Sequence, residues 1–333
     1  MGEIAVRCYT RGNGRSKSGT AMTSATINLR ELGETVLLTD GGLETSLVFL
    51  DGLDLPFFAA FPLLATEEGK ERLGRYFRQY LDIAEQRGVG FVLDTPTWRA
   101  NPDWGGKLGY SDKALSAANR HAVSWARALG APYAARGMVV LVDGVVGPRG
   151  DGYRVDAIMT TAEAENYHIN QIKAFRDAGA DMVSAITMTY SHEAAGIACA
   201  AMASGLQSVI SFTVETNGLL PSGESLKDAI ETVDDETDGA PAYFMINCAH
   251  PSHFDAVLAS GGGWVGRIRG VRANASAKSH AELDAATELD PGDPVDLGRR
   301  YRAMRDRFGH IGVLGGCCGT DARHIAAICD ACL

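Results

Sequence analysis

Val36-Leu37-Leu38-Thr39-Asp40-Gly41-Gly42 is a short apolar run that stops on a carboxylate and two glycines. This is the pattern of a buried strand running into a tight turn. The pattern recurs at 89–94, 138–143, 182–187, 208–213, 243–247, 265–271 and 311–314, making eight strand candidates in all. Helical periodicity fills the intervals. Residues 70–87 repeat apolar side chains at Leu73, Phe77, Tyr80, Leu81 and Ala84, and 162–178 do so at Tyr167, Ile169, Ile172 and Phe175. Strands alternating with helices pair in parallel, and eight such units in 333 residues predict an α/β fold, a (β/α)8 TIM barrel. A doubly wound open sheet is the alternative. The first strand is not followed by Gly-x-Gly-x-x-Gly, which counts against a dinucleotide site.

The barrel is expected as one domain over 29–333, with 1–28 as an N-terminal extension. In that extension Arg7, Arg11, Arg15 and Lys17 stand against the single acid Glu3 among Gly, Ser and Thr. Such a composition reads as disordered, or as an over-long start with Met22 as an alternative first residue, and it lacks the amphipathic period of an organelle presequence. The whole chain is 46% hydrophobic and 22% charged, with 39 glycines, as in a soluble α/β protein with many tight connections. A formal net charge of −10 argues against nucleic-acid or anionic-membrane partners. No apolar run reaches bilayer length, since 138–142 is stopped at once by Asp143. Seven cysteines do not suggest a disulfide framework and fit a reducing cytoplasm, where clustered thiols serve metals or catalysis. Cys329 and Cys332 form a C-x-x-C but lack the strand–helix–strand setting of a redox pair.

A barrel works at the C-terminal ends of its strands. Polar residues fall there: Asp40, Asp94, Asp143, Thr187, Thr213, Glu215, Asn247, Asn274 and three cysteines. Taken singly, Asp94, Asp143 or Thr213 serve equally as helix caps or strand-end solvation. Cys317-Cys318 alone is equally well a pair of small buried thiols. The flanking glycines of Gly315-Gly316-Cys317-Cys318-Gly319-Thr320, however, let the backbone leave the strand so that both thiols can face one point. Cys248 follows the sixth strand and Cys317-Cys318 the eighth, so in a closed barrel only the seventh separates them. Three thiolates suit Zn2+ and leave a fourth position for a substrate. His250 and His253 are the alternative, closing a structural site, although Pro251 restrains their loop and the spacing is unlike a finger. Zinc with three thiolates carries a net negative charge and is a weak Lewis acid for hydrolysis. It suits activation of an incoming thiol for attack on a methyl group.

Asp40-Gly41-Gly42-Leu43-Glu44-Thr45, Asn247-Cys248 and Gly315-Gly316-Cys317-Cys318-Gly319-Thr320 together resemble the homocysteine S-methyltransferase family. That family is related to betaine-homocysteine methyltransferase and to the homocysteine domain of cobalamin-dependent methionine synthase. Asp94-Thr95-Pro96-Thr97-Trp98-Arg99-Ala100 and Gly144-Val145-Val146-Gly147-Pro148 add to a likeness over about residues 34–330. The resemblance implies a zinc-dependent barrel with Cys248, Cys317 and Cys318 on the metal and no catalytic residue beyond it. Asp40 with the Gly41 and Gly42 amides would contact the amino acid, and Asn247 matches the residue before the first metal cysteine. Where the family carries Glu-Thr after the fourth strand, with the glutamate on the homocysteine ammonium, this chain has Ile186-Thr187. Thr187 keeps its place among the substrate contacts. Either Glu215, or next Glu44, replaces the missing acid, or the acceptor thiol lacks an ammonium group.

The implied activity is methylation of homocysteine to methionine from a small sulfonium or ammonium donor, such as S-methylmethionine, S-adenosylmethionine or a betaine, its cation resting on Trp98 or Trp104. Methylation of another thiol or a selenol, or a non-catalytic zinc- or redox-sensing barrel, are the alternatives. Partners would be small molecules, with a homo-oligomer compatible.

Overall fold

The computed structural model describes residues 28–333 apart from 34 and 156; the expectation for the N-terminal extension lies, save for residue 28, outside the described residues. Eight parallel strands close into a barrel in sequence order. They are β1 (Leu37–Leu38), β2 (Gly90–Asp94), β3 (Val140–Val146), β4 (Met182–Met188), β5 (Gln207–Phe212), β6 (Tyr243–Asn247), β7 (Ile268–Ala273) and β8 (Val313–Gly316). Each is followed by a crossover helix: α1 (Glu67–Arg87), α2 (Asp112–Ala135), α3 (Thr161–Asp177), α4 (Ser191–Ser204), α5 (Leu226–Thr237), α6 (Pro251–Ala259), α7 (Pro294–Arg307) and α8 (Ala322–Cys332). Short β1 completes the ring by pairing Leu37 with both Gly90 and Val313.

Strand side chains alternate between two apolar layers, which explains the near-continuous apolar runs. Leu37, Val92, Leu141, Met182, Val209, Tyr243, Met245 and Val313 fill the barrel interior. Leu38, Leu93, Val142, Val183, Ile210, Phe244, Val271 and Leu314 pack outward in the larger core with the helices. Leu29 and Leu32 join the interior layer. The Leu29 amide donates to Gln207 Oε1 (2.9 Å) at the start of β5, which puts this plug at the N-terminal end of the barrel.

The strand limits shift for identifiable reasons. β3 runs through Gly144 to Val146 instead of stopping at Asp143, because the glycine is a packing device: a Cβ there would lie 2.4 Å from the Phe175 ring of α3. β7 begins at Ile268, because Gly263–Arg267 forms a 3-10 turn whose Trp264 and Val265 cover the outer core. Among the described residues no helix is long and apolar enough to cross a membrane.

Candidate active site

At the barrel mouth the backbone turns where the strands end. Cys248 follows β6 in the left-handed region (φ 51°), and Thr187 at the end of β4 has φ 67°, both unusual for residues with a Cβ. Asn247, fully buried between them, explains how these conformations are held. Its Oδ1 accepts from the Thr187 amide (3.0 Å) and Ser211 Oγ (2.6 Å), and its Nδ2 donates to Thr187 Oγ1 (2.8 Å) and lies 3.9 Å from Cys317 Sγ. Asn247 and Thr187, expected as substrate contacts, thus bond chiefly to each other and to the strand ends.

After β8, the Cys317 amide donates to Ala273 O (2.8 Å) and a tight turn returns the Thr320 amide to Cys317 O (3.1 Å). Cys317 and Cys318 thereby come to the same point as Cys248. The three sulfur atoms lie within 4.8 Å of one another, Cys248 and Cys318 at 3.8 Å. The Cys248 and Cys317 Cα atoms lie 5.4 Å apart, which brings their sulfurs side by side. Burial pushes the Cys318 thiol up, while a hydrogen bond with Tyr153 opposes the rise. Tyr153, from the loop after β3, sets its hydroxyl 3.4 Å from Cys318 Sγ and stacks on His280 at 4.2 Å. His280 in turn spans Cys248 O (2.8 Å) and Glu215 Oε1 (2.9 Å).

The Asp40-Gly41-Gly42 turn is welded to the cysteine loop. The Gly42 amide donates to Thr320 O (3.0 Å), and a Cβ on Gly42 would lie 2.6 Å from Cys317 O. Gly41 is packed as closely, since a Cβ there would lie 2.7 Å from Thr320 O and 2.8 Å from the Tyr80 hydroxyl. The Gly42 amide therefore already has a protein partner. Asp40 is likewise engaged: its Oδ2 accepts from Tyr76 (3.0 Å), and Arg272 bridges Asp40 and Asp94 at 2.5 Å to each. Burial pushes Asp40 up to about 7 against the pull of Arg272. Burial also works against the charge of Arg272, but Asp94 and Asp40 more than offset it and hold the guanidinium protonated. Glu44 sits in the short helical turn after Gly42, pushed up to about 7 by burial, with Arg99 and Arg272 its nearest cations.

Other expected residues lie apart from the thiols. His250 caps α6 by accepting from the Ser252 amide (3.3 Å), and His253 Nε2 lies 3.0 Å from Ala277 O. Cys329 and Cys332 lie on α8 unjoined. Ile186 belongs to the barrel's interior apolar cluster, which leaves the end of β4 without an acid. Trp98 and Trp104 carry the protein's own cations: the Arg99 guanidinium lies 4.0 Å and 4.1 Å from their ring centres, and Lys107 lies 3.9 Å from that of Trp104. Arg272, Tyr153, His280 and Tyr76 were not evident as site residues. Arg272 left one signal, a charged residue directly continuing an apolar strand.

A closed (β/α)8 barrel with three thiols and a buried ion-pair network at its C-terminal mouth has the architecture of a barrel enzyme with a sulfur-ligand centre. The sequence profile of the Homocysteine S-methyltransferase family matches residues 37–332. The chain belongs to that family, enzymes that methylate homocysteine. Among solved structures, the homocysteine methyltransferase MmuM from Escherichia coli is similar in its oxidized form, with 24% identity over 90% of this chain and 97% of that one and a TM-score of 0.69. Its metallated form is similar with 21% identity over 89% and 96% of the two chains and a TM-score of 0.65. At these identities the likeness concerns the fold. No curated protein matches the sequence.

Proposed function

We propose that Cys248, Cys317 and Cys318, with their thiols reduced, hold one zinc ion, and that the protein makes methionine from homocysteine and a small sulfonium or ammonium donor. The observation that carries this reading is the convergence of three thiols within 4.8 Å, with no other His, Cys, Asp or Glu completing the set among the described residues. Such a donor set fits zinc and leaves one position open. Zinc so held lowers the pKa of an entering thiol and leaves it nucleophilic.

The chain's own residues supply placement. Asn247 and the Gly42–Thr320 contact fix the two cysteine segments relative to each other. Tyr153 covers Cys318 and narrows the mouth around the sulfur position. The methyl carbon passes from donor to the homocysteine sulfur in one in-line displacement: its bond to the donor's positive sulfur or nitrogen breaks as the new S–C bond forms, and a neutral sulfide or amine leaves. No general base is required once the thiol is deprotonated, so alignment supplies the remaining rate enhancement.

The test is a matrix of donors (S-methylmethionine, S-adenosylmethionine, glycine betaine) against thiols on the zinc-loaded protein, with metal analysis. One zinc per chain and methionine from homocysteine with at least one donor is expected. A metal-replete protein inactive with every combination would overturn the reading in favour of a sensing barrel. Turnover restricted to thiols without an ammonium group would replace homocysteine as the acceptor.

A further inference from the structure

The mouth holds two ionisable side chains of opposite kind that, among the described residues, form no ion pair within salt-bridge distance. Arg99 is only 7% exposed, and its plane is fixed between Trp98 and Trp104 at 4.0 and 4.1 Å. Its Nη1 donates to Gly150 O (2.8 Å), its Nε has no partner, and among the described residues no carboxylate forms an ion pair with it. A guanidinium so deeply placed without a counter-ion is poorly compensated, and its fork suits a carboxylate. Burial lowers Arg99 to about 10, with Asp151, Glu44 and Tyr153 the groups that hold it up; it stays charged at neutral pH.

Glu44 is the complementary case. Among the described residues its carboxylate forms no ion pair, yet it acts electrostatically on Arg99 and on Cys318. Asp143, deeper among the strand ends, has no hydrogen-bond partner on either oxygen among the described residues and interacts with Asp94 and Arg272, whereas four other acids are engaged. Asp40 and Asp94 hold Arg272, Glu215 holds His280, and Asp151 accepts from the Tyr153 amide (2.8 Å). Tyr153 links the pair to the thiols, since it neighbours Arg99 and its hydroxyl lies 3.4 Å from Cys318 Sγ. Only two methylene groups separate the sulfur of homocysteine from its α-carbon, so a thiol docked at the cysteines brings its charged head to this neighbourhood.

The geometry points to Arg99 and Glu44 as the pair that reads the head of the acceptor amino acid, Arg99 taking the α-carboxylate and Glu44 the α-ammonium. The assignment rests on the homocysteine reading above and resolves the absence of an acid at Ile186: the ammonium's partner comes from the first strand's turn instead of the fourth strand.

The test compares homocysteine with γ-mercaptobutyrate, which lacks the ammonium, and aminopropanethiol, which lacks the carboxylate. Binding of each to the zinc-loaded protein is measured by calorimetry, so the result does not require turnover. Glu44→Gln is expected to weaken homocysteine and aminopropanethiol about tenfold to a hundredfold and leave γ-mercaptobutyrate unchanged. Arg99→Met is expected to weaken homocysteine and γ-mercaptobutyrate by a similar factor and spare aminopropanethiol. Should Arg99→Met fail to fold, the near-isosteric Glu44→Gln still decides the ammonium half and Arg99→Lys the carboxylate half, by a selective loss of the carboxylate-bearing thiols. Equal weakening of all three thiols, or no weakening, overturns the assignment while homocysteine binding and methylation stand. Failure of homocysteine to bind overturns it as well. The selective pattern without methionine formation upholds the assignment and refutes the methyltransfer reading.

Discussion

Replacing Asn247 with alanine should undo the mouth more than any single hydrogen bond suggests. The side chain makes three short hydrogen bonds, at 3.0, 2.6 and 2.8 Å, to Thr187 N, Ser211 Oγ and Thr187 Oγ1. Each is worth about 1 kcal/mol net, and a buried donor left unpaired costs roughly 1–3 kcal/mol. Thr187 at φ 67° and Cys248 at φ 51° each hold a left-handed conformation that costs about 1–2 kcal/mol and persists because its surroundings impose it. Without the amide the Thr187 backbone N–H is orphaned and Thr187 is free to relax, while Cys248 keeps only its backbone contacts to Arg272, Thr213 and His280. A loss of about 3–5 kcal/mol in urea unfolding of the reduced, metal-free protein is expected, with zinc affinity in chelator competition falling about 10- to 100-fold. Ser211→Ala, which removes one of the three bonds, should cost only about 1 kcal/mol. If Asn247→Ala loses less than Ser211→Ala, or binds zinc as the parent does, the argument that this amide sets the Cys248 turn is wrong.

Arg272→Met should destabilise by about 3–5 kcal/mol at neutral pH by leaving Asp40 and Asp94 buried without their cation, and the deficit in urea unfolding should shrink as acid protonates them. Gly42→Ala tests the weld between loops. Gly42 has an ordinary φ of −84°, so the effect is purely steric: the new Cβ meets Thr45 Oγ1 at 2.4 Å and Cys317 O at 2.6 Å. Stability should fall by about 1–3 kcal/mol and zinc affinity with it, measured as above. Glu44→Gln should stabilise the metal-free protein at alkaline pH. Burial raises the folded pKa of Glu44 to about 7, above its unfolded value, so its contribution is intact below the unfolded pKa and is lost as pH rises through 7. The variant escapes that loss, so the urea midpoints should coincide near pH 4 and separate in its favour by pH 8. The gap should be about 1–3 kcal/mol, discounted because Glu44 is only half-buried, and coincident curves throughout would contradict the shift.

The barrel was legible because parallel strands buried on both faces leave continuous apolar runs, and eight of these alternate with helical spacing. Boundaries were less legible where a residue's reason lay across the core. Gly144 reads as a breaker until Phe175 of α3 is placed against it. Val265 reads as strand until Trp264 beside it is seen to cover helices. The thiols were legible because strand order alone puts the ends of β6 and β8 one strand apart. Arg272, Tyr153 and His280 were not, since they reach the mouth from a strand and two loops that share no spacing. Nor does a sequence show which polar groups are already engaged: Asp40 and Gly42 occupy the expected positions, yet their partners are Arg272 and Thr320.

The pairing of β7 with both β6 and β8 makes the thiol set a reporter of assembly. Cys248 and Cys317 are separated by 69 residues of chain, and β8 is held in place by both β7 and β1. Partly folded chains in which β7 has not yet joined β6 to β8 have two unrelated cysteine segments instead of a chelating cluster, and ordering the intervening chain without that pairing is entropically opposed. Metal capture should therefore coincide with the docking of β8 beside β7 during refolding, so a coloured thiolate complex of cobalt would time that step of barrel formation.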